Sequence, residues 1–182
     1  MNYYKKIDID FYDDIVADTL TYLKEQKPDI YNKKIAATYY VLELDEFKKH
    51  CPKLDLGFAK YDLICNFAVA FVMHKTSDVK LHIDRYNMGK ARINLPILNT
   101  HNTFTRFYTG GTFTKVTNPL TNITALRLTG IDGLTLVDKV EIDKTTVMLV
   151  TEPHDILKLN SEIPRITLTL GFDKDPAFLL ED

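Results

Sequence analysis

The chain has 182 residues, 45% of them hydrophobic and 26% charged, which places it among globular proteins and excludes wholesale disorder. Lys and Arg number 23 against 25 Asp and Glu, a net charge of −2 that argues against nucleic acid as a general partner. The longest apolar run, Phe67 to Met73, falls far short of the ~20 residues that span a bilayer, and the N-terminal MNYYKKIDIDFYDD has no secretory apolar core, so a cytoplasmic protein without membrane contact is expected.

Asp10 to Glu25 reads as a helix: Ile15, Leu20 and Leu23, with Phe11 and Tyr22, form an apolar stripe that Lys27-Pro28 closes. A second short helix is predicted over Asp45 to His50, before Cys51-Pro52. Residues 1–60 are therefore expected to act as helical support. Cys51 and Cys65 match no CxxC or zinc spacing and read as free thiols.

From about Asp62 the texture changes to short β-branched and aromatic runs. Predicted strands cover Leu63–Met73, Val79–Asp84, Ala91–Leu98, Thr103–Tyr108 and Ile123–Leu128, followed by Leu134–Val137, Thr145–Val150, Asp155–Leu159 and Arg165–Phe172. Period two is clear in places. Ile93, Leu95 and Ile97 oppose Arg92 and Asn94, and Arg165, Thr167 and Thr169 oppose Ile166, Leu168 and Leu170. Turns are signalled by Gly110-Gly111, Asn118-Pro119, Gly130 and Asp132-Gly133. The expected fold is mainly β, a jelly roll with an N-terminal helical segment, in a single domain whose core spans 61–174.

Among five histidines, His82 stands two residues before Asp84, so on a strand the imidazole and carboxylate share a face. His154, after Glu152-Pro153, opens a later strand and is the natural third ligand. Two His and one carboxylate form the facial triad that suits non-haem Fe(II) and leaves coordination positions open. Eleven residues on, Arg165 shares a face with Thr167 and has no acidic residue within two positions. A guanidinium buried in a β-barrel needs an anion, and this fork with its neighbouring hydroxyl suits the distal carboxylate of a dicarboxylic acid. Bland readings stand beside these. His82 and Asp84 suit a surface pair, His154 a turn, Arg165 an interstrand ion pair, and Arg92 a salt bridge at the core edge. His50 and His74 read as exposed and His101 as a loop residue, while Tyr39, Tyr40, Phe67, Phe71, Phe104, Phe107 and Tyr108 suit core or pocket wall.

With these residues in place, the chain resembles the Fe(II)- and 2-oxoglutarate-dependent oxygenases from about Leu63 to Phe172, in the order H-x-D, His, Arg. The segment Ala91-Arg92-Ile93-Asn94-Leu95-Pro96-Ile97 is similar to the aspartyl/asparaginyl β-hydroxylase and cis-proline hydroxylase branch, with Asn94 where that branch has His. Together with Thr105-Arg106-Phe107-Tyr108 it also resembles small phage-type members. The resemblance implies a double-stranded β-helix (a cupin-like jelly roll), Fe(II) on His82, Asp84 and His154, and 2-oxoglutarate held by Arg165, Thr167, Arg92 and Asn94. It implies hydroxylation of an amino-acid or peptidyl side chain by dioxygen. Nucleobase demethylases usually carry a second Arg six residues past the co-substrate Arg, where this chain has Gly171. The alternatives are a non-catalytic metal-binding or structural jelly-roll module, and a cupin-type enzyme that uses the metal without 2-oxoglutarate.

Overall fold

Alternation with period two becomes a two-faced sheet, and two such sheets organise this protein. The computed structural model describes residues 2–31, 37–74, 78–84, 89–117, 124–159 and 163–181. In chain order these form β1 (Tyr4–Lys6), α1 (Tyr12–Gln26), β2 (Ala37–Val41), α2 (Leu44–His50) and α3 (Leu54–Phe58). Then come β3 (Cys65–Met73), β4 (Asp78–Ile83), β5 (Ala91–Leu98), β6 (Thr103–Thr109), β7 (Thr112–Thr117) and β8 (Thr124–Gly130). The last strands are β9 (Thr135–Glu141), β10 (Thr146–Leu149), β11 (His154–Lys158) and β12 (Arg165–Phe172). The major sheet runs β1-β10-β5-β12-β3-β2 and the minor sheet β7-β8-β4-β11-β6-β9, each six-stranded and antiparallel throughout. This is the expected jelly roll.

The two faces of the major sheet have different fates. Ala68, Ala70, Val72, Ile93, Leu95, Leu168 and Leu170 join Ile15, Leu23, Phe47, Leu54 and Phe58 of the helices in one buried cluster. Each large side chain so buried contributes on the order of 2 kcal/mol, which fixes the helices as a layer on the outer face. The Tyr12 hydroxyl donates to the Pro96 carbonyl at 2.6 Å and ties α1 to β5. The opposite face looks toward the minor sheet. There the apolar cluster is small, with Phe107, Val140, Ile142 and Met148 at its centre. Register places Arg92 beside Met148, Asn94 beside Thr146 and Thr169, and Thr167 beside Phe71 and, one strand on, Tyr39. Apolar packing thus closes one part of the space between the sheets and leaves polar side chains lining the rest.

Several elements differ from the sequence-based expectation. Residues 1–60 are not purely helical, since β1 and β2 form the two edges of the major sheet. β1 is three residues long with two lysines, and β2 alternates weakly, so neither gives a strong local signal. β7 has the burial of a solvent-washed edge, and its threonine-rich sequence lacks an apolar face. α1 begins after Phe11, which sits left-handed at φ 56° and 46% exposed, outside the stripe. Thr19 takes a buried place in that stripe by donating its hydroxyl to the Ile15 carbonyl. His74, expected to be exposed, is buried at the end of β3. Gly110, at φ 76°, lies so close to the Gly133 carbonyl that no Cβ fits, which joins the two predicted glycine turns. The Asn118-Pro119 turn and Ile123 lie outside the described residues.

Candidate metal centre

β4 delivers His82 and, just beyond its last residue, Asp84; β11 pairs with it so that His154 stands directly opposite His82. The ladder slips by one residue between His154 and Ile156, an irregularity at the point where β11 presents His154. The two imidazole centroids are 4.5 Å apart at 50°. His82 Nε2 lies 3.3 Å from Asp84 Oδ1, and His154 Nε2 lies 4.0 Å from Asp84 Oδ2. One ligand atom from each residue therefore fits within 4.8 Å of the others.

Both rings are oriented in the same way. His82 Nδ1 is 2.8 Å from the Lys80 carbonyl, and His154 Nδ1 is 2.8 Å from the Glu152 carbonyl. A carbonyl only accepts, so each Nδ1 carries the proton and donates, leaving the Nε2 lone pairs aimed at the common point. This is the outer arrangement that metal-binding histidines use. Burial, and then the neighbouring His82, lower the His154 pKa below its ordinary value. Burial alone raises that of Asp84, but the neighbouring His82, His154 and Arg92 outweigh it and hold the group at about 2. Above mild acidity the set is thus an anionic carboxylate and a neutral His154, the protonation states a divalent ion requires. Among the described residues no other group of three metal-ligating side chains converges in this way.

The facing wall belongs to the major sheet. Arg165 is 1% exposed, and its Nε and Nη1 atoms and the buried Thr167 hydroxyl have no hydrogen-bond partner among the described residues. Its guanidinium lies 5.6 Å from the Phe71 ring centroid, and burial pulls its pKa down to about 10. The interstrand ion pair considered from sequence is not formed among the described residues. Tyr39 stacks on Phe71 at 4.6 Å, and its hydroxyl is held protonated by burial and by Asp84, while Arg127 and Arg165 act in the opposite sense. Tyr39, 46% exposed, thus feels the charges of both Asp84 and Arg165. Asn94 takes the Thr169 hydroxyl on Oδ1 at 2.6 Å. Arg92 is 7% exposed and donates from Nη1 to the Ala91 carbonyl at 3.0 Å, with no ion pair among the described residues. Its place on the inner face is the expected one, and the salt bridge at the core edge is not formed among the described residues.

Two contributors had no site role assigned from sequence. Arg127, paired with His82 on β8, comes from a Leu126-Arg127-Leu128 alternation whose inward charge was the available signal. Behind His154, Arg106 grips Asp155 through Nε at 2.8 Å and Nη2 at 2.6 Å, and Tyr108 donates to the same carboxylate at 3.1 Å. This clamp lies on the other face of β11 and locks the strand that carries His154.

No family model matches the chain, and no curated protein matches it in sequence. Solved structures do. HygX from Streptomyces hygroscopicus, with nickel and 2-oxoglutarate bound, superposes with a TM-score of 0.57 at 11% identity, covering 94% of this chain and 82% of that one. The epimerase SnoN, in complex with Fe3+ and alpha-ketoglutarate, gives 0.56 at 10% identity over 100% and 85% of the two chains. A prolyl-4-hydroxylase from Pseudomonas putida gives 0.50 at 13% identity, covering 94% and 92%. At these identities the likeness is one of fold: the chain has the jelly-roll architecture of these proteins along nearly its whole length.

Proposed function

We propose that the protein is an Fe(II)- and 2-oxoglutarate-dependent oxygenase, with His82, Asp84 and His154 as metal ligands and Arg165 and Thr167 as the seat of the far carboxylate of 2-oxoglutarate. The observation that carries this reading is the unpaired polar wall. A buried guanidinium with two unmet donors beside an unmet hydroxyl is costly, and a dicarboxylate anchored on a metal across the gap satisfies all three. A non-catalytic jelly roll gives the strands but no account of that wall.

The donor set fits the group: two neutral nitrogens and one carboxylate cap a single face and leave the rest of an octahedron open. Bound there, ferrous iron with 2-oxoglutarate supplies the activation of dioxygen. The chain's own residues do the rest. The Lys80 and Glu152 carbonyls fix the tautomers of the two histidines. Arg165 and Thr167 orient the co-substrate, and the buried Phe71 backs the Arg165 guanidinium. Asn94, its oxygen held by Thr169, presents its amide toward the same space as a donor. The low pKa of Asp84 keeps a carboxylate charge on the metal throughout the neutral range.

Hydroxylation of an amino-acid or peptidyl side chain is the favoured outcome; the fold neighbours include a hydroxylase and an epimerase, so related C–H oxidations belong to the same reading. The test is succinate formation from 2-oxoglutarate under air with Fe(II). The wild type is expected to turn over, and His82→Ala and Asp84→Ala to lose at least ~100-fold, a loss appropriate to removing an interaction needed in the transition state. Unchanged succinate formation in either variant removes the metal assignment.

A further inference from the structure

Arg92 poses a problem that the co-substrate does not solve. It is 7% exposed and lies on the inner face of β5, at the register position of Met148, whereas Arg165 opens β12 at the far end of the same face. Leu170 pairs with Ile93, so the two arginines are about six residues apart along the strand direction, roughly 20 Å between Cα atoms. The acidic groups acting on Arg92 are Asp84 and Asp175, and neither forms an ion pair with it. Asp84 is committed to the histidines and their metal. Asp175 is committed to backbone: Oδ2 takes the Lys90 N–H, and Oδ1 takes the N–H groups of Ala91 and Ala177. Among the described residues Arg92 itself donates to one carbonyl, that of its neighbour Ala91.

Charge points the same way. The fixed charges acting on Asp84, Tyr39 and Arg92 include three guanidinium groups, Arg92, Arg127 and Arg165, against the two carboxylates of Asp84 and Asp175. A divalent ion and a dianionic 2-oxoglutarate cancel each other, so loading the site leaves that excess in place. Arg165 serves the far end of the co-substrate, and the metal serves the near end. Arg92 is left on the inner face with no carboxylate at ion-pair distance among the described residues, while burial lowers its pKa and the more distant Asp84 and Asp175 raise it.

On the oxygenase reading above, we propose that Arg92 is the recognition residue for a carboxylate of the prime substrate, which makes the substrate a carboxylate-bearing small molecule oriented by that group beside the metal. The planar fork suits a bidentate carboxylate, and Arg127 at the rim adds a second, more exposed attraction for an anion entering the site. A substrate held at one end in this way presents a C–H bond a few carbons from the carboxylate.

The experiment uses the full chain loaded with Mn(II) and saturating 2-oxoglutarate, with pentanoate and its neutral isostere pentanamide as probes and proton line broadening as the readout. The expected result is several-fold stronger broadening of pentanoate than of pentanamide, lost in Arg92→Met and partly kept in Arg92→Lys, with 2-oxoglutarate still bound in both. Equal broadening of acid and amide overturns the proposal, as does pentanoate broadening that survives in Arg92→Met. Loss of 2-oxoglutarate from both Arg92 variants assigns Arg92 to the co-substrate and also overturns it, leaving the oxygenase reading intact. The signals of 2-oxoglutarate itself report on that reading separately: if the wild type holds no 2-oxoglutarate near Mn(II), both proposals fall together. The Lys variant keeps the charge and most of the volume, so it guards against misfolding in Arg92→Met.

Discussion

Replacing Arg165 by Met acts in opposite directions on the empty and the co-substrate-loaded protein. Without an anion the guanidinium is 1% exposed, and two of its nitrogens lack partners. Burial brings its pKa from the ordinary guanidinium range to about 10, a fall worth about 3 kcal/mol against the charged form. Since the folded-state pKa is the lower one, that cost is present in full at neutral pH and fades only as pH rises past about 10. The contact with the Phe71 ring at 5.6 Å returns about 1 kcal/mol. Arg165→Met is therefore expected to stabilise the co-substrate-free protein by about 2 kcal/mol, a rise of roughly 4–8 °C in Tm for a chain of this size. With Ni(II) and 2-oxoglutarate at a thousand times its Kd, the wild type gains about 4 kcal/mol and the variant far less, so the order of melting reverses. Thermal melts of both proteins with and without 2-oxoglutarate read the crossing directly. A variant that melts well below wild type without the acid, or equal stabilisation of both by it, refutes the reasoning.

Two further outcomes concern the scaffold of the site. The His154 pKa is lowered by burial and then by His82, and that of Asp84 is held at about 2 despite burial, so both groups make the metal-free fold lose stability on acidification. Urea unfolding free energies are expected to fall first below about pH 6.5, the ordinary histidine value, and again between about pH 4 and 2; a flat profile contradicts this. Arg106→Met leaves the Asp155 carboxylate buried with only Tyr108 as a side-chain donor, at an expected cost of about 2–4 kcal/mol read from the urea midpoint. An unchanged midpoint shows that the clamp does not hold β11.

Local pattern carried much of the architecture. Ala91–Leu98 and Arg165–Phe172 alternate so strictly that their strands begin and end as expected, because both are central and every side chain has a definite face. Edges were harder to see. β1, β2 and β7 are stabilised by pairing with distant partners, and their own residues show little of the apolar alternation that marks a half-buried strand. The H-x-D spacing placed His82 and Asp84 on one side of a strand, but their meeting with His154 depends on the β4–β11 ladder, which spans some seventy residues of chain. The pairing that Arg165 lacks is a property of the folded interior, as is the gap between Arg92 and the two carboxylates nearest it. Tyr39 read as core or pocket wall, and only the β2–β3 register sets it beside Phe71, where the charges of Asp84 and Arg165 both reach it.

Anaerobic titration of the protein with Fe(II) and then 2-oxoglutarate bears on the central claim without needing the prime substrate. Chelation of the keto acid to a ferrous ion on His82, Asp84 and His154 is expected to produce a visible metal-to-ligand charge-transfer band that saturates at one equivalent of iron and is absent in His154→Ala. A protein that binds Fe(II) but shows no band with 2-oxoglutarate, or one that keeps the band after loss of His154, contradicts the account.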